Sequence, residues 1–236
     1  MVISRYSVFA DISQSTTFLF FSDLHGCDNA PLFEAIKNLP HDAILIGGDL
    51  IHDETNYKRG FEFLEGLPYG EKCFVCLGNH DSCFPGEVRK EITSRGSILL
   101  DNSYVDFRGI KLGSLTSGEF YMPDMKPNLA WLEEFSKLDG FKLLLCHRPE
   151  YFKKYIKKLP VDLTVSGHAH GGQWRVFGRG IFAPGQGIFP KYTSGMYENR
   201  LIVGRGLGNP HIIPRINNSP EILVIDILPK NTNTEK

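Results

Sequence analysis

Five short apolar runs along this chain each end in a cluster of polar residues, and this arrangement constrains the fold more than any other feature. The clusters are rich in histidine and aspartate, and glycine flanks most of them. In an open α/β sheet, functional groups collect beyond the carboxyl ends of the strands. Clusters that are far apart in sequence are therefore predicted to converge on one crevice. In chain order they are Asp23-Leu24-His25, Gly48-Asp49, Gly78-Asn79-His80-Asp81, His147 and Gly167-His168-Ala169-His170.

The first half of the chain alternates strand-like runs with helix-like segments. Residues 17–21, 43–46 and 72–77 are short and apolar, as buried strands are. Pro31 fits the first turn of a helix between the first two runs, and residues 57–67 form a helical pattern between the next two. This alternation predicts crossover connections and a largely parallel sheet, so the expected fold class is α/β.

The middle of the chain has a different pattern. Three short β-rich runs, residues 97–100, 104–107 and 110–115, are separated by turn residues and predict a β meander. After His170 the sequence is rich in short β runs, glycine and proline. We expect one domain over residues 1–236, with the metal-ligand motifs at 23–170 and a β-rich C-terminal segment at 171–228.

Composition excludes several classes of protein. The 236 residues carry a formal net charge of −1, which creates no overall field that would attract nucleic acid. Apolar runs are too short for a membrane-spanning helix, and the N-terminal residues lack a secretory signal pattern. Five cysteines without a regular framework are typical of a reducing compartment. The sequence predicts a cytoplasmic protein, with peripheral membrane association as an alternative, and it does not indicate the oligomeric state.

The polar clusters contain a donor set large enough for two metal ions. Four histidines, two aspartates and one asparagine in them could ligate metal, and His80 is a further histidine in the same clusters. Nitrogen and oxygen donors of these kinds bind Mn²⁺, Fe and Zn²⁺. In Asp23-Leu24-His25 an extended backbone would point both ligating side chains to the same side, and His168-Ala169-His170 repeats that spacing. A set of this kind predicts a hydrolase of phosphate esters.

The order D-x-H, G-D, G-N-H-D, H and G-H-x-H over residues 18–170 resembles that of the calcineurin-like metallophosphoesterases. The C-terminal part adds a finer resemblance to the YkuE/YaeI-like branch, which contains membrane-associated phosphodiesterases and UDP-2,3-diacylglucosamine pyrophosphatase-type enzymes. The resemblance implies a four-layer fold, in which a two-sheet β-sandwich is flanked by helices. The finer likeness lies in Gly167-His168-Ala169-His170-Gly171-Gly172-Gln173, Gly195-Met196-Tyr197, Gly204-Arg205-Gly206-Leu207-Gly208, Pro214-Arg215 and Pro220-Glu221.

The same resemblance implies a role for each cluster residue around two divalent ions, with manganese favoured over iron and zinc. His80 would act as the general acid that protonates the leaving group. Asp81 would orient the His80 ring, cap the helix that follows, or do both. The implied ligands are Asp23, His25 and His170 for one ion, Asn79, His147 and His168 for the other, and Asp49 as the bridge.

Two divalent ions about 3.5–4 Å apart can share a hydroxide that attacks phosphorus in line. We therefore expect hydrolysis of a small phosphorylated substrate, either a nucleotide diester or a sugar-nucleotide or lipid pyrophosphate. Arg205 and Arg148 are the expected substrate contacts, Arg205 because Gly204 and Gly206 let its backbone turn near the crevice. Further cationic candidates are Lys191, His211 and Arg215. The alternatives are a phosphomonoesterase, protein phosphatases included, and a non-catalytic binding scaffold on the same fold.

Overall fold

Two six-stranded sheets lie face to face in the part of the chain that the computed structural model describes, which is residues 1–52, 57–83, 85–116, 126–209 and 214–230. The strands are β1 (Val2–Ala10), β2 (Thr16–Phe21), β3 (Ala43–Gly47), β4 (Cys73–Cys76), β5 (Ile98–Leu100), β6 (Ser103–Phe107), β7 (Ile110–Leu115), β8 (Phe141–Cys146), β9 (Leu163–Ser166), β10 (Arg175–Val176), β11 (Arg179–Gly180), β12 (Phe182–Ala183), β13 (Gly187–Ile188), β14 (Gly195–Tyr197), β15 (Leu201–Val203) and β16 (Glu221–Pro229). The helices are α1 (Ala30–Asn38), α2 (Tyr57–Glu65), α3 (Pro85–Ser94) and α4 (Leu129–Ser136), with 3₁₀ turns at Asp81–Cys83 and His170–Gly172 and a π-helical turn at Phe152–Ile156.

Both sheets are mostly parallel, as the alternation of strands and helices predicts. The first sheet has the order β1-β16-β2-β3-β4-β5, and β2 to β5 run parallel to one another. The second has the order β14-β15-β9-β8-β7-β6, and its four central strands are parallel. Strand β16 lies between β1 and β2, so the two ends of the described chain share one sheet. On this basis we propose that residues 1–236 form a single domain.

The strands that carry the polar clusters are buried on both faces. In β2, Phe18 and Phe20 point into the core between the sheets, whereas Leu19 and Phe21 point to the outer core. This division follows from the two-residue period of a strand. Cys73 and Cys76 divide between the two cores in the same way, so they do not face each other. A strand buried on both faces must be apolar throughout, which explains the uninterrupted apolar runs.

Helices cover the outer face of each sheet. Buried residues of α1, α2 and α3 pack on the first sheet, and those of α4 and the π-helical turn pack on the second. Helix, sheet, sheet and helix form four layers, so the expected two-sheet sandwich flanked by helices is confirmed. Within the described ranges, no helix is both long enough and apolar enough to cross a bilayer.

The predicted meander over residues 97–115 is wrong. Strand β5 pairs in parallel with β4 in the first sheet, whereas β6 and β7 form an antiparallel hairpin in the second. The turn residues at Asp101 and Asn102 therefore carry the chain from one sheet to the other. Their side chains hold this crossing, because Asp101 Oδ1 accepts from Thr116 Oγ1 at 2.6 Å and Asn102 Oδ1 accepts from Thr116 N at 3.2 Å.

Candidate metal centre

The carboxyl ends of five parallel strands meet at one edge of the sandwich. Strands β2, β3 and β4 are neighbours in the first sheet, and β8 and β9 are neighbours in the second. Hydrogen bonds join the loops that follow them: Asp23 N donates to Gly48 O at 2.9 Å, and Gly167 N donates to His147 O at 3.1 Å. The His147 ring connects the two sheets, because its Nδ1 lies 2.8 Å from Gly47 O. All five polar clusters are thereby brought into one crevice.

Five candidate ligands have a left-handed backbone, with φ values of 52° at Asp23, 47° at His25, 54° at Asp49, 64° at His168 and 45° at His170. The expected extended geometry of the D-x-H and H-x-H pairs is therefore wrong. L-residues rarely adopt this conformation, and it costs free energy that the surrounding fold must supply. Such residues are concentrated at functional sites, and here they turn the chain sharply so that both side chains of each pair reach the crevice.

Asp23, His25 and His170 form the first group of potential ligands, and their donor atoms lie within 4.8 Å of one another. All three are buried. His170 Nε2 is 3.6 Å from Asp23 Oδ1. Both carboxylate oxygens of Asp23 also accept a hydrogen bond from the backbone N–H of His168, at 3.0 and 3.1 Å, which fixes the carboxylate orientation.

Asp49, His147 and His168 form the second group, again with donor atoms within 4.8 Å. Asp49 Oδ2 is 3.1 Å from His147 Nε2. The Nδ1 of His147 donates to the Gly47 carbonyl, since a carbonyl oxygen can only accept. That bond leaves Nε2 as the nitrogen that faces the crevice. Asn79 is 1% exposed and lies in the loop after β4, next to His80, whose backbone N–H donates to Asp49 Oδ1.

The Asp49 carboxylate lies between the two groups. Its Oδ2 is 3.6 Å from His25 Nε2 of the first group and 3.1 Å from His147 Nε2 of the second. Its Oδ1 accepts a hydrogen bond from the backbone N–H of His80 at 2.9 Å. One oxygen is therefore anchored to the protein, and the other is shared between the two histidine groups.

Burial keeps most of these imidazoles neutral. It lowers the pKa of His25 and of His170 to about 3. Nearby carboxylates act in the opposite direction, Asp49 on His25 and Asp23 on His170. The pKa of His168 is also far below its ordinary value because of burial. For His147, the effect of burial is outweighed by Asp49 and Asp23, and the pKa rises to about 9. Carboxylates that attract a proton to Nε2 of His147 attract any other cation to the same position.

Several buried donor atoms in the crevice have unmet bonding capacity. Among the described residues, no hydrogen-bond partner is present for His25 Nδ1 and Nε2, Asn79 Oδ1 or His168 Nε2. A buried polar atom without a partner costs about 1–3 kcal/mol, so this many in one place requires an explanation. Neutral imidazole nitrogens, carboxylate oxygens and an amide oxygen are ligands for divalent ions. The residues present therefore fit metal ions.

Glycine allows the close approach of loops around Asp49. A Cβ atom on Gly78 would lie 2.1 Å from Asp49 Oδ1 and 2.4 Å from Asp49 N. Gly48 has φ of 95°, and a Cβ there would be 2.6 Å from His147 Nδ1. Any side chain at either position would displace a candidate ligand. The glycines next to the polar clusters are thus required by packing at the site itself.

His80 and Asp81 differ from expectation in their contacts. His80 Nδ1 lies 2.8 Å from the carbonyl oxygen of His52. The described hydrogen bonds of the Asp81 carboxylate come from the backbone N–H groups of Ile51, at 3.1 Å, and Gly78, at 2.9 Å. Asp81 is fully buried and connects the loops after β3 and β4. The prediction that it orients the His80 ring or caps α3 is corrected: it holds together the two loops that carry Asp49 and His80.

His52 is a site residue that sequence reasoning missed. Its ring centroid lies 5.0 Å from that of His80 and 5.2 Å from that of His25, and the donor atoms of the three rings lie within 4.8 Å of one another. In the sequence His52 appears outside the polar clusters. It follows Asp49 by three residues, and that short spacing was the available signal for its presence in the crevice.

The two predicted substrate-contacting arginines have different environments. Arg148 is buried next to the site, with Nη1 3.8 Å from Glu150 Oε1. The largest effects that lower the pKa of His168 are, in order of size, its burial, the charge of His147 and the charge of Arg148. Arg205 is instead opposite Glu221, with Nε 3.7 Å from Oε1. The backbone around Arg205 does approach the crevice, because a Cβ on Gly206 would be 2.7 Å from Asp23.

Arg215 is a further cation at the crevice. Its guanidinium donates to the carbonyl oxygens of Arg205 and Gly208, and Nη2 lies 3.4 Å from His170 Nδ1. It therefore holds the glycine-rich 204–208 loop against the metal centre. Lys191 lies away from these groups, near Glu198, and His211 falls outside the described residues.

A family model for the calcineurin-like phosphoesterase domain matches residues 16–172, which is more than half of the chain. The chain belongs to the calcineurin-like phosphoesterase family. The match contains all seven candidate ligands, so the family and the crevice coincide in the sequence. Members of this family are metal-dependent hydrolases of phosphoester bonds, and this chain is an enzyme of that class.

Relatives place the chain in the expected branch. The uncharacterized metallophosphoesterase YkuE of Bacillus subtilis is 31% identical over 235 residues, with 90% of this chain and 78% of the relative covered. The phosphodiesterase YaeI of Escherichia coli is 28% identical, covering 97% and 88%. The UDP-2,3-diacylglucosamine pyrophosphatase LpxG of Chlamydia muridarum is 25% identical, covering 88% and 82%.

A solved structure supports the fold. The phosphopantetheinyl hydrolase of Mycobacterium tuberculosis superposes with a TM-score of 0.50 at 12% identity, over 86% of this chain and 92% of that one. At this level of identity the likeness concerns the fold alone.

We predict that Gly78→Ala weakens metal binding about 10- to 100-fold, because the added methyl group would push Asp49 out of place. Affinity for Mn²⁺ would be measured by calorimetry, with circular dichroism to verify folding. Gly86→Ala is the matched control, because its Cβ would enter open space in α3. Unchanged affinity in a folded Gly78→Ala protein would contradict this role.

Proposed function

We propose that this protein hydrolyses a phosphodiester or pyrophosphate bond with the help of two divalent metal ions. The observation that carries the proposal is the position of the Asp49 carboxylate between two groups of buried, mostly neutral histidines. A carboxylate in that position can serve two ions at once. The names of the relatives YaeI and LpxG, a phosphodiesterase and a pyrophosphatase, support the choice of bond.

The proposed ligand sets follow the two groups, with one addition. His25 and His170 contribute imidazoles that burial keeps neutral, which is the form that binds metal. Bound ions would supply a nucleophilic hydroxide near neutral pH and offset charge on the phosphoryl oxygens. Nitrogen and oxygen donors of these kinds suit manganese, iron or zinc, and we favour manganese on the family resemblance alone. The sets are Asp23, His25 and His170 with Asp49, and Asn79, His147 and His168 with Asp49.

His80 is the proposed general acid, and its contact with His52 determines which proton it transfers. The His52 carbonyl oxygen accepts from Nδ1, so Nδ1 keeps its proton in both the charged and the neutral ring. The proton that leaves is therefore the one on Nε2. An imidazolium that loses this proton to the departing alkoxide returns to the tautomer that the protein already stabilises. Asp81 supports this step indirectly, because it fixes the loop that carries His80.

Arg148 is the proposed contact for a substrate phosphate. It is buried, it lies near His168, and no described group accepts a hydrogen bond from its Nε. Arg205 remains a second candidate, because no described group accepts a hydrogen bond from its Nε either. Its carboxylate neighbour Glu221, at 3.7 Å, is matched by Glu150 at 3.8 Å from Arg148. The proposed substrate is a small phosphorylated molecule, a nucleotide diester or a sugar-nucleotide or lipid pyrophosphate. A cytoplasmic location remains a prediction, supported by five cysteines that are all free thiols.

Purified protein is expected to contain about two transition-metal ions per chain, and chelation is expected to abolish hydrolysis of bis-p-nitrophenyl phosphate. Metal content would be measured by mass spectrometry, and activity would be restored by Mn²⁺. Values of kcat/KM for nucleotide diesters, sugar-nucleotide pyrophosphates and phosphomonoesters would then rank the substrate classes. Full activity in excess chelator would refute the metal-dependent mechanism.

Asp49→Asn is expected to lower the occupancy of both metal positions together, because one carboxylate oxygen faces both histidine groups. The substitution keeps the shape of the side chain and removes its charge. Metal content after dialysis would be compared with that of Asp226→Asn, a buried aspartate in β16 that pairs with Arg5 far from the crevice. Loss of a single ion would show that Asp49 does not bridge.

His80→Ala is expected to reduce kcat about 10²- to 10⁴-fold without changing metal content. The loss should be larger for an alkyl leaving group than for p-nitrophenolate, because a poor leaving group depends more on protonation. His41→Ala is a suitable control, because His41 pairs with Glu71 near the start of β3, at the other end of that strand. If metal is lost along with activity, His80 is a ligand and not the acid.

A further inference from the structure

Exposed apolar side chains are concentrated in one short stretch after the metal centre. Phe177 is fully exposed, Phe189 is 77% exposed and Ile188 is 71% exposed. Trp174, Val176 and Phe182 in the same stretch are also exposed. Large apolar groups this close together in a soluble protein mark an interaction site. We call residues 174–191 the hairpin platform.

These side chains lie on and beside two short hairpins. Phe177 and Gly178, with φ of 48° and 77°, form the two-residue turn between β10 and β11, so the Phe177 ring stands at the end of a hairpin. In the second hairpin Phe182 lies directly opposite Ile188. Ile181 connects the two hairpins, because its N–H donates to Trp174 O at 2.9 Å and its carbonyl oxygen accepts from Phe189 N at 2.8 Å.

A cavity of about 460 Å³ lies between β11 of the first hairpin and residues 189–197, and it brings cations next to the exposed Phe189 ring. Its lining includes Arg179, Phe189, Lys191, Thr193 and Ser194. Cationic and hydroxyl groups around an open cavity suit an anionic group. Because Phe189 and Arg179 line the same cavity, the apolar and cationic parts of the platform form a continuous surface.

The charge of this region differs from that of the whole chain. Residues 163–197 contain no aspartate or glutamate, although the net charge of the protein is −1. Arg175, Arg179 and Lys191 all fall within that stretch, although Lys191 lies 3.7 Å from Glu198 directly after it. Arg175 is engaged by the carbonyl of Gly171. Within the described ranges no carboxylate lies at ion-pair distance from Arg179, which is exposed.

We propose that the hairpin platform docks on the surface of a bilayer that contains anionic phospholipid. Aromatic side chains at hairpin tips insert at the boundary between headgroups and acyl chains, and cations beside them contact lipid phosphates. The Phe177 ring stands at a turn, and the exposed Phe189 lies beside the cation Arg179, a combination that suits the boundary between headgroups and acyl chains of an anionic bilayer. Docking of this kind needs no membrane-spanning helix.

The platform is also connected to the metal centre. Gly180 of β11 packs against Gly172, two residues after His170, so closely that a Cβ on Gly172 would lie 2.3 Å from Gly180 Cα. A docked platform would hold the His170 side of the crevice close to lipid headgroups. The inference that a lipid-linked phosphate is the substrate rests on the proposed function, whereas docking itself does not.

The test is sedimentation of the full-length protein with phosphatidylcholine vesicles that contain or lack phosphatidylglycerol. The wild type is expected to bind the anionic vesicles, and less so as salt rises.

Phe177→Ser with Phe189→Ser is expected to lower the partition coefficient about tenfold or more. Arg179→Gln and Lys191→Gln are each expected to lower it about fivefold. Hydrolysis of soluble bis-p-nitrophenyl phosphate should be unchanged in all these variants, which separates a failure of docking from a failure of the proposed function.

Matched controls replace equally exposed groups elsewhere. Tyr69→Ser removes a fully exposed aromatic ring, and Lys153→Gln with Lys154→Gln removes two exposed cations from the π-helical turn. Both controls should bind vesicles as the wild type does. The proposal is overturned if the wild type does not bind anionic vesicles or if the controls lose binding equally. It is also overturned if ultracentrifugation shows a dimer that Phe177→Ser with Phe189→Ser dissociates, because the platform would then bind a second copy.

Discussion

The rest of this structure depends on how two carboxylates, Asp23 and Asp49, can be buried at the end of the sandwich. An ionised carboxylate in a protein interior is strongly unfavourable unless opposite charge and hydrogen-bond donors surround it. Backbone N–H groups of His168 and His80 satisfy part of this requirement, and imidazole nitrogens face the remaining oxygens. Most of those imidazoles are themselves neutral because of burial. The site is thus a concentrated set of electron-pair donors with little positive charge of its own, and a divalent cation satisfies it best.

Placing so many donors together imposes a cost on the backbone. Five of the candidate ligands have left-handed φ values, and loops pack around Asp49 so tightly that only glycine fits at residue 78. The rigid sheets provide the compensation, because strands β2, β3, β4, β8 and β9 are buried on both faces and hold the loop ends in place. The buried strands of the sandwich therefore stabilise the strained loops, and those loops hold the candidate ligands.

The buried strands and the candidate ligands at their ends could be predicted from the sequence, because both depend on local residue patterns. Buried strands must be apolar along their whole length, so the runs before Asp23, Asp49 and Asn79 were readable as strands and their ends as sites. The region around Asp101 was not readable in the same way. A turn that leads back along the same sheet and a turn that crosses to another sheet use the same residue types, and only long-range pairing distinguishes them. For the same reason the partner of Val2–Ala10, a strand more than 200 residues away, could not be predicted from local sequence.

The sequence by itself determined the set of donor residues, their order and the family, because these depend on residue identity and spacing. Only the tertiary structure decided which atoms meet. It turned Asp81 away from its expected role and toward the backbone of two loops, brought His52 beside His80, and paired Arg205 with Glu221. It also decided which apolar residues are exposed in the hairpin platform and which are buried in the core, although the residue types are the same in both. Contacts between distant segments and the exposure of a side chain are properties of the folded chain, because both depend on which surfaces the remaining residues cover.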